Sequence, residues 1–117
     1  MTTRRKPRAV PRPGRPVRGS RTGRPIMAAL DLLGRRWALR VLWELRDGPH
    51  AFRALQERCG GVSPTVLNAR LAELREALLV ETREGEGYLL TTGGCELLVA
   101  LAPLQGWADG WARRVRP

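Results

Sequence analysis

The side chains with the clearest chemical use lie within one stretch of the chain, from Val62 to Leu79. Thr65 and Asn68 are short hydrogen-bonding residues of the kind that contact base edges, and Arg70 carries a cation suited to a phosphate oxygen. Ala69 lies between them and is small enough to let the backbone approach a groove floor. The stretch therefore predicts a surface that contacts DNA. The predicted DNA-contacting residues here are Ser63, Thr65, Val66, Asn68, Ala69 and Arg70.

The same stretch has the pattern of an amphipathic helix. Ser63 stands at the N-cap position and Pro64 at the first helical position, where a missing N–H costs nothing. Leucines recur at spacings of four, three and four, which predicts one buried stripe with the polar residues opposite. Taken alone, the segment also fits an ordinary surface helix with a polar side. The leucine stripe consists of Leu67, Leu71, Leu74 and Leu78.

Three helices are predicted before this one. The first begins at Ile26 and ends at Gly34, the second covers residues 35–46, and a short third covers residues 51–58. The second helix is apolar around most of its circumference, which predicts a central core element. A short helix, a turn with glycines and a longer helix with a polar outward face form the helix-turn-helix arrangement.

Two cations are predicted to stand at the start of the second helix. At Arg35 and Arg36 the helix dipole disfavours positive charge, and a nearby DNA phosphate would offset that cost. Both residues are therefore predicted DNA contacts. The alternative is that both extend into solvent, at a small energetic cost.

A short β-hairpin is predicted after the leucine-striped helix. Residues 80–83 alternate apolar and polar, a glycine-containing turn follows, and residues 88–91 form the return strand. A hairpin in this place is a wing. Its tip carries Glu84 and Glu86, which a phosphate backbone would repel, so Arg83 is the predicted DNA contact from this element.

The last helical region is predicted to run from Thr91 or Thr92 to about Arg114. Pro103 removes one intrahelical hydrogen bond, which predicts a kink or two shorter helices. The apolar positions form a heptad-like seam that continues to Val115. The seam favours self-association, because the first four helices already supply a core; the alternative is that it packs on its own domain. The predicted dimerisation residues are Leu97, Leu101, Leu104, Trp107, Ala108 and Trp111.

Charge divides the 117-residue chain into two parts. Residues 1–25 hold nine of the 21 Lys and Arg residues, no acidic residue and five prolines, which predicts a disordered basic tail. In residues 26–117, 12 basic and 11 acidic residues nearly balance, and this part is predicted to be one folded domain. The tail is expected to be an arm that follows phosphates; the alternatives are a solubilising leader or a mis-called start codon, with the true start at Met27.

Other kinds of chemistry have little support in the sequence. His50 is the single histidine, no third group orients it towards a nucleophile, and Cys59 and Cys95 lack metal-ligand spacing. We therefore expect no catalytic residue, no metal and no cofactor, and hence no enzyme. No apolar run approaches the ~20 residues of a membrane span, and the expected location is the reducing cytoplasm.

Three segments in this order resemble the HxlR-type winged-helix transcriptional regulators of bacteria. They are ALDLLGRRWALRVLWELRDGPHAFRAL, GVSPTVLNARLAELREALLV and the hairpin leading into LLTTGGCELL. The more specific points are Gly34 with Trp37, the Asp-Gly-Pro turn, Ser63-Pro64, and Thr91 with Gly94. The resemblance implies a mainly α, winged helix-turn-helix fold with a small β-hairpin and an additional C-terminal helical dimerisation region.

The resemblance also implies a function. It implies a homodimer joined through its terminal helices, with the Val62–Leu79 helix in the major groove of an inverted-repeat operator in double-stranded DNA. A response to a small-molecule effector is a further property of such regulators. The alternative function is a winged helix that coats DNA without sequence preference or binds another protein.

Three features of the sequence depart from the family pattern. Arg24 stands where these regulators commonly carry a cysteine before the proline of the first helix, which excludes thiol sensing at that position. The wing is short and acidic at its tip, which puts wing contacts with DNA in doubt. Gly93 and Gly94 are poor helix formers, which predicts a frayed first turn in the last helix.

Overall fold

The structure, a computed structural model, describes residues 9–115. Over that range the chain forms five α-helices and one antiparallel hairpin, which lies between the fourth and fifth helices. The predicted mainly α, winged helix-turn-helix architecture is confirmed, with the additional C-terminal helix in place. The elements are α1 (Pro25–Leu33), α2 (Ala38–Glu44), α3 (Phe52–Arg58), α4 (Pro64–Glu76), β1 (Val80–Arg83), β2 (Gly87–Leu90) and α5 (Thr92–Arg114).

The core lies where α2 meets α4. Val41, Leu42 and Leu45, from α2 and its C-cap, are at most 1% exposed, and the facing leucines of α4 are equally buried. This confirms the prediction that the second helix is a central core element. Leu55 of α3 and Val80 of β1 close the same cluster from two sides. The buried leucines of α4 are Leu67, Leu71 and Leu74.

The predicted second helix is shorter at its start than the sequence indicates. Trp37 is the N-cap of α2 and has a left-handed φ of 76°, so Arg35 and Arg36 lie in the turn before the helix. The prediction that these two cations stand on the first helical turn is therefore wrong. The left-handed backbone at Trp37 ends the turn that holds them, so neither residue is part of the helix.

The prediction that Leu78 continues the buried stripe of α4 is also wrong. The helix ends at Glu76, and Leu78 has a left-handed φ of 63° with 75% of its surface exposed. The N–H of Leu79 donates to the carbonyl of Leu74 at 2.9 Å, and the N–H of Leu78 donates to that of Arg75 at 3.0 Å. These two bonds form the Schellman motif, whose left-handed position is usually glycine. A leucine there costs about 1–2 kcal/mol of conformational strain.

Thr91 joins the start of α5 to that strained turn. Its hydroxyl donates to the carbonyl of Leu78 at 2.6 Å and accepts from the N–H of Gly94 at 3.0 Å, which makes Thr91 the N-cap of the helix. Gly94 is buried, and a Cβ there would lie 2.2 Å from the carbonyl oxygen of Leu79. The first turn of α5 is thus capped and closely packed rather than frayed, because the two glycines let the helix approach the turn.

The last helix runs through its proline without division. Residues 92–114 form one α-helix, so of the two predicted alternatives, a kink or two shorter helices, the second is wrong. Pro103 has no N–H to offer to the carbonyl of Val99, four residues earlier. The helix nevertheless continues for 11 residues beyond Pro103, to Arg114.

Residues 9–24, which the sequence predicts to be disordered, follow a defined path over α1 and α4. We call this segment the N-terminal arm. Arg12 forms an ion pair with Glu76 at 2.7 Å, and the N–H of Arg18 donates to a carboxylate oxygen of Asp31 at 3.1 Å. The folded domain thus supplies polar partners in addition to the hydrogen bonds within the arm itself. The part of the predicted tail before residue 9 lies outside the described residues.

The contact between Gly94 and the Leu79 carbonyl gives a test of this packing. Gly94→Ala is expected to lower the free energy of unfolding by about 1–3 kcal/mol, because a methyl group must displace backbone. Gly106→Ala is the matched control in the same helix, where a Cβ would meet nothing within 4 Å. It should raise the free energy of unfolding by up to about 1 kcal/mol. Urea unfolding of both variants measures the difference, and equal effects would contradict the close approach.

Candidate nucleic-acid interface

The turn between α3 and α4 sets the direction of α4. Gly60 and Gly61 have left-handed φ values of 71° and 111°, which let the chain reverse within a few residues. Val62 is then buried, and the Gln56 side-chain amide donates to its carbonyl at 3.2 Å. The hydroxyl of Ser63 accepts from the N–H of Val66 at 3.1 Å. This bond confirms the predicted N-cap and satisfies one free donor at the start of α4.

The first two turns of α4 present small and hydrogen-bonding side chains to solvent. Ser63, Thr65, Asn68 and Ala69 are exposed, as the sequence predicts for residues that contact DNA. Val66 is half-buried and packs against the core, so only part of its side chain faces outward. With the leucines buried on the opposite side, this outward face is free of bulky groups and fits close approach to a groove.

Arg35 has a different position from the one expected. Its guanidinium donates to Glu73 at 2.5 Å and to the carbonyl of Ala9 at 2.5 Å, and its side chain is only 8% exposed. Its Nε is buried and has no partner among the described residues. This burial contradicts a direct phosphate contact by Arg35. The residue instead joins the turn before α2 to α4 and to the N-terminal arm.

A basic cleft lies beside the outward face of α4. It has a volume of about 430 Å³. Arg70 donates from Nε to the carbonyl of Arg36 at 2.7 Å and also forms an ion pair with Glu73. Arg36 is exposed, and between residues 9 and 115 its side chain makes no hydrogen bond or ion pair. The cleft is lined by Arg18, Gly34, Arg35, Arg36, Ala69, Arg70 and Glu73.

Two charged members of the basic cleft were not identified as site residues from the sequence. Arg18 comes from the N-terminal arm, and only the path of that arm brings it near α4. Glu73 follows Arg70 by three residues, a spacing at which side chains on one helix meet, so the sequence held a signal for that ion pair. Glu73 is one acid among four arginines, and the cleft therefore keeps a net positive charge.

The wing is anchored to the turn before α3. Val80 lies opposite Leu90 and Arg83 opposite Gly87, and the backbones of His50 and Tyr88 exchange hydrogen bonds of 2.9 and 2.8 Å. Arg83 is more than half exposed but forms ion pairs with Glu81 at 3.5 Å and Glu86 at 3.3 Å. These carboxylates partly neutralise the one cation that the sequence assigned to a DNA contact in the wing.

The histidine and the buried cysteine do not form a reactive pair. A hydrogen bond from His50 at 3.2 Å, helped by the charge of Arg58, lowers the pKa of Asp47. Burial raises the pKa of the Cys59 thiol, which disfavours the nucleophilic thiolate. Among the described residues no group of three His, Cys, Asp or Glu side chains is placed to hold a metal. No helix in this part of the chain is long and apolar enough to cross a membrane.

The predicted dimerisation seam divides into two parts. Leu97 and Leu101 are half-buried against the core, so their main contacts lie within their own domain. The first part of α5 packs on β2 and α2, and that packing accounts for their burial. Ala108 is half-buried. The remaining predicted positions, Leu104, Trp107 and Trp111, are 53%, 55% and 48% exposed.

The exposed part of the seam is continuous and aromatic. The rings of Trp107 and Trp111 stack with their centroids 5.6 Å apart, and Val115 lies one further turn along. Helix α1 exposes Ile26 and Leu30, which are 63% and 54% accessible. Such apolar area is typical of a surface that binds a partner.

The chain is similar to a known group of regulators. A family model described as HxlR-like helix-turn-helix matches residues 32–116. The HTH-type transcriptional regulator YodB of Bacillus subtilis is 34% identical over 88 residues, which cover 70% of this chain and 79% of YodB.

Solved structures show the same likeness. The crystal structure of quinone-bound YodB from B. subtilis aligns with a TM-score of 0.69 at 34% identity, over 74% of this chain and 96% of that one. The crystal structure of a possible HxlR family transcriptional factor from Thermoplasma volcanium aligns with a TM-score of 0.64 at 29% identity, over 73% and 82% of the two chains.

The different positions of the two neighbouring arginines can be separated by stability measurements. Arg35→Met should lower the free energy of unfolding by about 1–3 kcal/mol, because it leaves a largely buried Glu73 with one partner fewer. Arg36→Met is the matched control and should change it by less than about 0.5 kcal/mol, because that side chain is exposed. Urea unfolding compares the two variants. A larger effect at Arg36 would contradict this arrangement.

Proposed function

The chain belongs to the HxlR-like helix-turn-helix family, and on this premise we propose that it acts as a homodimer on an inverted-repeat operator. It is a DNA-binding transcriptional regulator, as its family and its curated relatives are. The observation that carries the proposal is the capped first half of α4. Its outward side chains are small or hydrogen-bonding, and its leucines are buried in the domain.

We assign base contacts to the first two turns of α4. Thr65 and Asn68 are exposed and can hydrogen-bond to base edges in a major groove, and Ala69 leaves room for close approach. Ser63 keeps its side chain on the helix N-terminus, so its contribution is the cap and the backbone it positions. Val66 offers a partly exposed apolar surface of the kind that can contact a thymine methyl group.

Phosphate contacts belong to the rim of the basic cleft. Arg36 is exposed beside Ala69 and Arg70, so its cation lies next to the helix that enters the groove. Arg70 contributes charge from a position fixed by the Arg36 carbonyl and by Glu73. Arg83 is a weaker candidate because two glutamates pair with it. These cations fix position on the duplex, while sequence is read by α4.

The proposed dimer forms through the exposed apolar faces of the two terminal helices of the described chain. Trp107 and Trp111 supply the largest area, and Leu104 extends it along α5. Ile26 and Leu30 add a second apolar face on α1. A two-fold axis through this surface would place two α4 helices about one DNA turn, ~34 Å, or a multiple of that apart.

Three further properties are part of the proposal. We propose a cytoplasmic protein without catalytic activity, in keeping with a family of transcriptional regulators. A small-molecule effector is supported by the quinone-bound structure of YodB, which is similar to this chain. Arg24 stands at the position where the regulators that the sequence resembles commonly carry a cysteine, so an effector of this chain would bind by another means.

A module that coats DNA without sequence preference is the alternative. The strongly basic segment before residue 26 favours it, because Lys and Arg side chains bind phosphates of any sequence. A sequence-specific regulator should bind its operator more tightly than random DNA, whereas a coating module should bind both equally.

The proposed reading helix is tested by Asn68→Ala. On DNA from the region upstream of the protein's own coding sequence, the variant should lose about 1–3 kcal/mol of binding free energy, because a base contact disappears. On random DNA of equal length it should lose little. Fluorescence anisotropy measures both affinities, and Gln105→Ala removes an exposed amide on α5 as a control. Unchanged operator preference in Asn68→Ala would contradict base reading by this residue.

The proposed dimer is tested by Trp111→Ala. Sedimentation equilibrium should show dissociation of the dimer at a concentration roughly tenfold or more higher than for the native chain, because a central aromatic contact is lost. Trp43→Ala is the matched control, since Trp43 is also partly exposed but lies on α2 beneath the Arg46 guanidinium. A native chain that is monomeric at micromolar concentration, or equal effects of the two variants, would contradict the proposed surface.

A further inference from the structure

A mainly apolar cavity of about 440 Å³ lies beneath the N-terminal arm. Its inner wall is formed by Ala28 and Leu32 of α1, which are 3% and 6% exposed. Its opposite wall is the turn at the end of α4, and Leu97 of α5 contributes between them. We call this cavity the arm pocket. Its arm residues are Val10, Pro11, Arg12 and Pro13.

The lining of the arm pocket defines the ligand chemistry. The charged side chains in the lining are Arg12 and Glu76, and they form an ion pair with each other at 2.7 Å. An ionic ligand would therefore find no unpaired opposite charge. The volume falls within the roughly 300–1,000 Å³ of small-molecule sites, which are also mostly apolar. The lining therefore fits a compact, uncharged and largely apolar molecule.

The arm pocket touches the DNA-reading helix at its C-terminal end. Glu76, Ala77 and Leu78 all line it, and Leu78 is the residue held in the left-handed conformation. On its other side, the arm faces Ala69, Ala72 and Glu76 across a groove. By helical geometry these three residues share the outward face of α4 with Thr65. The docked arm therefore lies over the second half of the surface that would enter a major groove.

The arm pocket is formed partly by residues that lie before the region matched by the family model. The match to the family model begins at residue 32, whereas Val10, Pro11 and Pro13 come from the arm and Ala28 and Ala29 from α1 before that point. A ligand there contacts the arm and the domain together. The ligand would shift the equilibrium towards the docked arm by the difference between its binding free energies for the docked and undocked states.

We propose that the arm pocket binds a small, uncharged, largely apolar molecule, and that this ligand holds the arm on α4 and thereby weakens DNA binding. The effect on DNA binding rests on the proposed function, whereas binding of the small molecule in the arm pocket does not. Because the coupling between two ligands is reciprocal, DNA should weaken binding of the small molecule by the same factor.

Binding is tested on the full chain without DNA, with N-phenyl-1-naphthylamine as the probe. This uncharged aromatic becomes more fluorescent in apolar surroundings, and saturable binding is expected. Ala29→Phe fills the arm pocket from α1 and should weaken binding by about tenfold or more. Ala54→Phe, at an exposed position on α3, is the matched control and should leave the affinity within about twofold of the native value.

A second pair of variants covers the case in which Ala29→Phe does not fold, as judged by circular dichroism. Val10→Ser changes the arm wall of the pocket, whereas Val17→Ser changes a half-buried valine of the same arm outside it. The first should weaken probe binding and the second should not. Absence of saturable binding, or equal binding by the native chain and the Ala29 and Val10 variants, overturns the site. If the probe instead bound the exposed tryptophans of α5, the native chain and both pocket variants would bind it equally.

The effect of the ligand on DNA binding is tested by measuring the affinity for DNA with and without a saturating concentration of the probe. The native chain should bind upstream DNA more weakly with probe, and Val10→Ser should show a smaller change. Unchanged or tighter DNA binding by probe-saturated protein overturns the regulatory half while the site stands. Absence of DNA binding even without probe would instead refute the proposed function, and probe binding measured without DNA would be unaffected.

Discussion

Burial of three leucines of α4 against α2 is the contact on which the rest of the structure depends. Leu67, Leu71 and Leu74 are at most 1% exposed, and each such burial contributes about 1.5–3 kcal/mol. This contact fixes the rotation of α4 about its own axis. Because side chains on one helix keep a fixed angular relation, burying the leucines turns Thr65 and Ala69 outward. The face proposed to read DNA is thus a consequence of the core.

Glu73 adds electrostatic specificity to the same helix pair. It forms ion pairs with Arg35 and Arg70, so one carboxylate joins the turn before α2 to α4 and fixes the guanidinium nearest the groove-facing surface. The N-terminal arm is attached to this network through the Ala9 carbonyl, which accepts from Arg35. Charged side chains in this protein therefore have two roles. Buried pairs hold α4 in place, and the arginines left at the rim are available to phosphate.

The turn at Leu78 connects α4, the helix proposed to read DNA, to the rest of the domain. It holds a leucine in a conformation that glycine adopts more easily, and Thr91 and Gly94 of the α5 N-terminus pack directly on it. The same α5 carries the exposed tryptophans at its other end. One continuous helix therefore extends from the end of α4 to the surface proposed for dimerisation. The spacing of two reading helices would follow from this connection.

The sequence by itself determined the order and type of the elements, the Ser63 cap and the outward face of α4, because these depend on local spacing and helix-end chemistry. It placed Leu78 in the stripe, since periodicity alone does not mark where a helix stops when no glycine follows. The tertiary structure alone decided that Arg35 is buried while Arg36 is exposed, and that Leu97 and Leu101 belong to the core while Trp107 and Trp111 do not. It also brought Arg18 beside α4. These outcomes depend on which surfaces meet in three dimensions, and residues adjacent in sequence can then face opposite environments.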